Sequence, residues 1–280
     1  MNKAISTPSR TKEILEKYGL RAKKNFGQNF LVDPIIVERC AAQSHCEGAV
    51  IEIGPGIGGL TEQLAKKAKH VTAYEIDENL IPVLEDTLSE YDNVEILLED
   101  FLECDFDAKV KELKEKYGTV SVCANLPYYI TTPVLFKIFE CPDIAYITVM
   151  VQKEVGERFA AKPGGSEYSA LSAEGQYLFD VKKLFTVPGR SFNPSPNVDS
   201  VIIQFARKDS SISKEELTSF FNLVRACFKQ RRKTIYNNLR EYLDDPSQAK
   251  EILNKTGIAE GKRAQQLSVD ELRKIYEEIQ

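Results

Sequence analysis

Histidine is scarce in this 280-residue chain, with only His45 and His70. The six cysteines are Cys40, Cys46, Cys104, Cys123, Cys141 and Cys227, and none forms a Cys-x-x-Cys pair. No set of these residues has zinc-ligand spacing, so no metal is expected. Several of the cysteines sit in apolar runs, where a buried free thiol is the expected state. The chain also lacks an uninterrupted apolar stretch long enough to span a bilayer. Its first residues are polar and charged, without the apolar segment of a secretory signal. Together these absences predict a protein of a reducing cytoplasm with no membrane partner.

Acid is missing from one stretch. Residues 220–240 carry Arg225, Lys229, Arg231, Arg232, Lys233 and Arg240 without a single Asp or Glu. Residues 1–30 carry Lys3, Arg10, Lys12, Lys17, Arg21, Lys23 and Lys24 against Glu13 and Glu16. The formal net charge is nevertheless −5. Two basic segments on an acidic chain are either solvated helix faces or a local footprint for a polyanion.

Apolar runs alternate with helical patterns from about residue 48 to 152, the signature of a parallel, doubly wound α/β sheet. Strands are expected at 49–53, 71–75, 94–98, 120–124 and 144–151. Runs at 181–187 and 198–205 lack a long helix between them and read as a closing antiparallel pair. Asp33-Pro34 supplies an N-cap and first-turn proline for a helix through Ala42. After Phe205 no strand pattern remains. The expected boundary separates a domain at 1–207 from a small helical domain at 208–280.

Gly54-Pro55-Gly56-Ile57-Gly58-Gly59 follows the first strand and opens a helix. Gly54, Gly56 and Gly59 satisfy G-x-G-x-x-G, a turn that lets backbone approach a nucleoside closely. Glu75, at the end of the second strand, can accept hydrogen bonds from both hydroxyls of a ribose. These features suit a nicotinamide dehydrogenase as well as a methyltransferase. Asp100, after the third strand, can accept from an adenine amine while Phe101 packs near the ring.

The fourth strand ends in Asn125-Leu126-Pro127-Tyr128. An adenine amine is a poor nucleophile because its lone pair is delocalised into the ring. Two acceptors for its N–H groups favour pyramidalisation and free that lone pair. The Asn125 side-chain carbonyl and the Leu126 backbone carbonyl can serve as the pair, with Pro127 stiffening the turn. Tyr128 offers a π-face for the base. A cationic methyl donor leaves positioning and electrostatics to carry the catalysis, and no strong general base is needed. A dehydrogenase has no use for this tetrapeptide. As an isolated string it is also a common strand-ending turn.

The chain resembles the ribosomal RNA adenine N6,N6-dimethyltransferases, and within them the small-subunit branch. Five stretches carry the likeness: Lys23–Leu31, Glu52–Gly56, Asn125–Ile130, Ser191–Ser200 and Phe228–Thr234. The resemblance implies a Rossmann-like class I methyltransferase sheet with a small all-helical C-terminal domain. It implies S-adenosyl-L-methionine bound by Gln28, Asn29, Leu31, Gly54, Gly56, Glu75, Asp100 and Asn125. It further implies that Asn125, Leu126 and Tyr128 hold the target base and that Phe192 stacks on it, as suits a flipped nucleotide. Lys23, Lys24, Arg231, Arg232 and Lys233 would contact RNA phosphates. The implied partner is 16S rRNA in the small ribosomal subunit or an assembly intermediate, and a monomer is expected.

Three other readings compete. The sister branch acting on 23S rRNA shares fold and active site, although Arg231-Arg232-Lys233 and Pro163-Gly164-Gly165 look more like the 16S branch. A nicotinamide oxidoreductase would need a hydride-transfer site, which no residue set suggests. A non-catalytic assembly factor would not need intact donor and acceptor motifs.

Overall fold

The computed structural model describes residues 3–20, 29–209 and 212–280. Lys23, Lys24 and Gln28 lie outside the described residues. The chain forms two compact units. The first takes Met1–Gly156 and Lys182–Arg207, the second Glu157–Val181 and Lys208–Gln280. The segment Glu157–Val181 thus groups with the C-terminal helices.

In chain order the elements begin with α1 (Pro8–Lys17), β1 (Phe30–Leu31), α2 (Pro34–Ala42), β2 (Ala49–Ile53) and α3 (Gly59–Ala65). Next come β3 (His70–Glu75), α4 (Ile81–Thr87), β4 (Val94–Leu98), α5 (Phe106–Tyr117), β5 (Val120–Asn125), α6 (Thr131–Glu140) and β6 (Ile144–Gln152). Then follow α7 (Lys153–Ala160), α8 (Ala170–Leu178), β7 (Phe179–Val187), β8 (Phe192–Asn193) and β9 (Ser200–Arg207). The chain closes with α9 (Lys214–Phe228), α10 (Ile235–Leu243), α11 (Pro246–Thr256) and α12 (Val269–Glu277).

The main sheet has the order β4-β3-β2-β5-β6-β9-β7. β4, β3, β2, β5 and β6 pair in parallel, and β9 joins β6 antiparallel. Every residue of β2 is buried, as a central parallel strand covered by helices on both faces requires. Edge strand β4 is mostly half-buried. Asp33 caps α2 by accepting from the Ile36 N–H at 3.3 Å, with Pro34 in the first turn.

All six cysteines are buried and free. Cys40 and Cys123 bring their sulfurs to 3.8 Å within a cluster that includes Val50, Met150 and Phe192.

The described cations of α1 in the N-terminal basic stretch have acidic partners. α1 buries Ile14, and its cations have local partners: Arg10 with Glu13 at 3.4 Å, Lys12 with Glu16 at 3.7 Å and Lys17 with Asp86 at 2.7 Å.

In the second unit the helices are delimited by side-chain caps. Ser213 accepts from the Glu216 N–H and Thr234 from the Asn237 N–H. Asp245 caps α11, which stops at Gly257 with φ 69°. The basic run is also trimmed by internal pairing. Arg225 makes a two-pronged contact with the buried Glu174, at 2.8 and 3.2 Å, and Lys229 pairs with Glu241 at 2.6 Å. Arg231, Arg232 and Lys233 are exposed on the turn between α9 and α10, where Arg231 also donates to the Ser166 carbonyl. No helix among the described residues is long and apolar enough to cross a membrane.

Candidate active site

Strand order reverses between β2 and β5, and a crevice opens beyond the carboxyl ends of strands at such a point. A cavity of about 330 Å³ lies there, bordered by the residues that follow β2, β3, β4 and β5. Of the residues singled out from sequence, Asn29, Leu31, Gly54, Gly56, Glu75 and Asp100 reach it. So do Asn125, Leu126, Tyr128 and Phe192.

One side of the cavity is made mainly of backbone. The turn after β2 has left-handed residues at Gly54, φ 70°, Gly56, φ 63°, and Gly58, φ 90°. The three glycines that need this conformation are thus 54, 56 and 58, whereas Gly59 simply starts α3. A Cβ on Gly56 would stand 3.5 Å from the Phe30 ring. Glu75 Oε1 accepts from the Ile76 and Asp77 N–H groups, both at 2.9 Å, and Oε2 accepts from the Gly56 N–H at 3.3 Å. Burial pushes this carboxyl above its ordinary range against the pull of those donors. A carboxylate offers about four acceptor positions, so at least one remains for a ligand hydroxyl.

Glu52 was not singled out from sequence, although a charged residue inside an otherwise apolar strand is a visible signal. It borders the cavity at 1 % exposure, and its Oε2 has no hydrogen-bond partner among the described residues. Burial, reinforced by the neighbouring Glu75, pushes its carboxyl up to about 8. An orphaned carboxyl oxygen in the wall leaves a hydrogen-bonding position open.

The segment after β4 turns on Asp100. Its carbonyl accepts from Glu103 and Cys104, and its Oδ1 accepts from the Leu102 N–H at 2.9 Å. Phe101 packs edge-on against Tyr74 and Phe106 and presents part of its surface to the cavity.

The opposite side is made of side chains held from a distance. Asn125 Nδ2 donates to the Asn29 carbonyl at 3.5 Å, which commits the N–H face of the amide and leaves Oδ1 as its acceptor. The Leu126 N–H is bound to the Met150 carbonyl, and the Pro127 carbonyl accepts from Ile130 and from Thr131 Oγ1. Tyr128 has its hydroxyl 2.8 Å from Ser200 Oγ at the start of β9, which fixes the orientation of its ring. Tyr129 and Ile76, half or more exposed at the rim, are two apolar wall residues not anticipated from sequence.

β1 and β8 close this side as a two-stranded antiparallel pair in which Leu31 faces Phe192. Phe192 borders the cavity but is only 4 % exposed, because most of its ring packs into the cluster with Cys40, Met150 and Ile202. Among the described residues no group of three or more His, Cys, Asp or Glu could hold a metal ion.

The model of the family described as ribosomal RNA adenine dimethylase matches residues 19–280. A ribosomal RNA small subunit methyltransferase A from Bacillus pumilus is 48% identical over 100% of this chain and 99% of its own length. The protein of that name from Staphylococcus aureus strain Newman is 46% identical over 99% of this chain and 96% of its own length. Among solved structures, a dimethyladenosine transferase from Plasmodium falciparum superposes with a TM-score of 0.72 at 29% identity, covering 87% of this chain and 94% of that one. The 23S rRNA methyltransferase ErmE superposes with a TM-score of 0.69 at 26% identity, covering 89% of this chain and 99% of that one.

Proposed function

The chain belongs to the ribosomal RNA adenine dimethylase family, and from that premise we propose that it dimethylates N6 of two adjacent adenosines near the 3′ end of 16S rRNA in the small ribosomal subunit. The observation that carries this reading is the meeting of the glycine turn and Asn125-Leu126-Pro127-Tyr128 at one cavity. The near-full-length identity of 48% to a small-subunit enzyme, against 26% to a 23S enzyme, favours the small-subunit substrate.

S-adenosylmethionine, the donor that family membership implies, supplies a methyl group on a positively charged sulfur. Glu75 would hold its ribose and Asp100 its adenine amine, with Asn29, Leu31, Gly54 and Gly56 shaping the pocket. Gln28 is proposed beside them on sequence grounds alone. Asn125 Oδ1 and the Leu126 carbonyl accept the two N–H bonds of the target amine and so expose its lone pair. Tyr128 and Phe192 flank the base. Fixed acceptors cost no reorganisation at the moment of transfer. Lys23, Lys24, Arg231, Arg232 and Lys233 would bind phosphates and make association salt-dependent.

The test is to incubate the protein with labelled donor and purified small or large subunits, then map methyl groups in both rRNAs. Label is expected at paired adenosines near the 3′ end of 16S rRNA. Label confined to 23S rRNA overturns the assignment.

A further inference from the structure

The turn that carries Asp100 is fastened from outside. Lys137, half-buried on α6, donates from Nζ to the carbonyls of Leu102 and Cys104, each at 2.7 Å. The same ammonium lies 5.5 Å from the centre of the Phe101 ring. Leu102 is therefore gripped at both of its backbone groups, by Asp100 at the N–H and by Lys137 at the carbonyl. Hydrogen bonds from a charged donor are roughly twice as strong as neutral ones. Among the described residues the turn also has internal bonds, to the Asp100 and Phe101 carbonyls and to Asp100 Oδ1, and the Phe106 N–H donates to the Cys104 carbonyl at 3.1 Å.

The helix that supplies Lys137 starts three residues after Tyr128, and its first residue, Thr131, donates to the Pro127 carbonyl at 3.2 Å. α6 thus touches the Asn125–Tyr128 segment with its first turn and the Asp100–Cys104 turn with a later one. A lysine suits the second task because its long stem reaches two carbonyls with a compact point charge.

We propose that Lys137 is a positioning residue for base selectivity: by clamping the Asp100–Cys104 turn it keeps the Asp100 carboxylate set to accept from a 6-amino purine. The proposal rests on reading the cavity as the donor site. A carboxylate accepts only, so a correctly held Asp100 favours an amine over a 6-oxo group, and a loose one discriminates less.

The experiment measures calorimetric Kd values for S-adenosylhomocysteine and S-inosylhomocysteine in the full chain and in Lys137→Met and Lys137→Arg, with thermal midpoints alongside. Methionine keeps much of the apolar stem and removes the charge. The parent should prefer the adenine compound. Lys137→Met should narrow that preference about tenfold, chiefly by weakening the adenine compound, as expected for a lost polar contact. Lys137→Arg should restore most of it. An unchanged ratio in Lys137→Met, or equal weakening of both compounds, overturns the role of Lys137 and leaves the donor site standing. If Lys137→Met does not fold, Lys137→Gln, which keeps one polar head, must show the same narrowing. Failure of the parent to bind S-adenosylhomocysteine overturns the donor-site reading itself.

Discussion

The two sides of the cavity are built by different means. Where the glycine turn and Glu75 meet, the wall is built from a left-handed turn at Gly54 and Gly56 and from a Glu75 carboxylate held by main-chain N–H groups. Where Asn125 and Tyr128 sit, the wall is built from side chains braced by remote partners, Asn29 and Ser200. The first arrangement depends on the glycine backbone and on the single carboxylate of Glu75. The second can be dismantled one side chain at a time, so chemistry and donor binding should be separable.

The most damaging test of that separation is Asn125→Ala. Loss of a fixed acceptor at the reacting amine should lower kcat by about 10²–10³-fold. Donor Kd, measured in parallel, should weaken by a smaller factor, because Asn125 is one of several residues expected around the donor. Equal losses in both would show that the two sides act as one unit.

Glu52→Gln probes the wall between them through pH. The carboxyl has an ordinary value of 4.5 and is raised to about 8 in the folded chain. Between those values the folded chain keeps a proton that the unfolded chain has released, so this group makes stability fall as pH rises across the window. In urea titrations from pH 5 to 9 without ligand, Glu52→Gln should flatten that fall and leave the variant a few kcal/mol ahead of the parent at the alkaline end. Parallel curves would mean that Glu52 is ionised in the fold.

Gly56→Ala attacks the main-chain side. A left-handed alanine costs about 1–2 kcal/mol, and here its methyl also meets the Phe30 ring. Donor Kd should weaken while kcat at saturating donor is largely kept, the reverse of Asn125→Ala. The smallest effect is expected from Tyr128→Phe. It removes the bond to Ser200, worth about 1 kcal/mol, and should raise KM for the particle with donor Kd unchanged.

The same contrast explains what could be read from sequence. β2 and β4 match the apolar runs 49–53 and 94–98, and the Asp33-Pro34 start of α2 is where its capping chemistry places it. The glycine turn was legible because its strand, glycines and helix follow one another directly and an acid closes the next strand. The expected strand at 198–205 begins instead at Ser200, since Val198 is exposed and Asp199 is occupied in accepting from the Gly189 N–H. β1 and β8 have two residues each, too few for any periodicity, yet they bring Leu31 opposite Phe192. Contacts across so many residues leave no local trace, which is also why Ser200 behind Tyr128 and Lys137 behind Asp100 went unseen. α1 was legible only as charge, because its burial depends on a sparse pattern around Ile14.

The sequestered thiols give the molecule an internal stopwatch. With all six cysteines buried, an alkylating reagent should tag them chiefly when the surrounding fold opens. Cys227 belongs to the C-terminal unit and the other five to the sheet unit. Tagging rates resolved by mass would therefore time the opening of each unit separately within one intact polypeptide, with no introduced label.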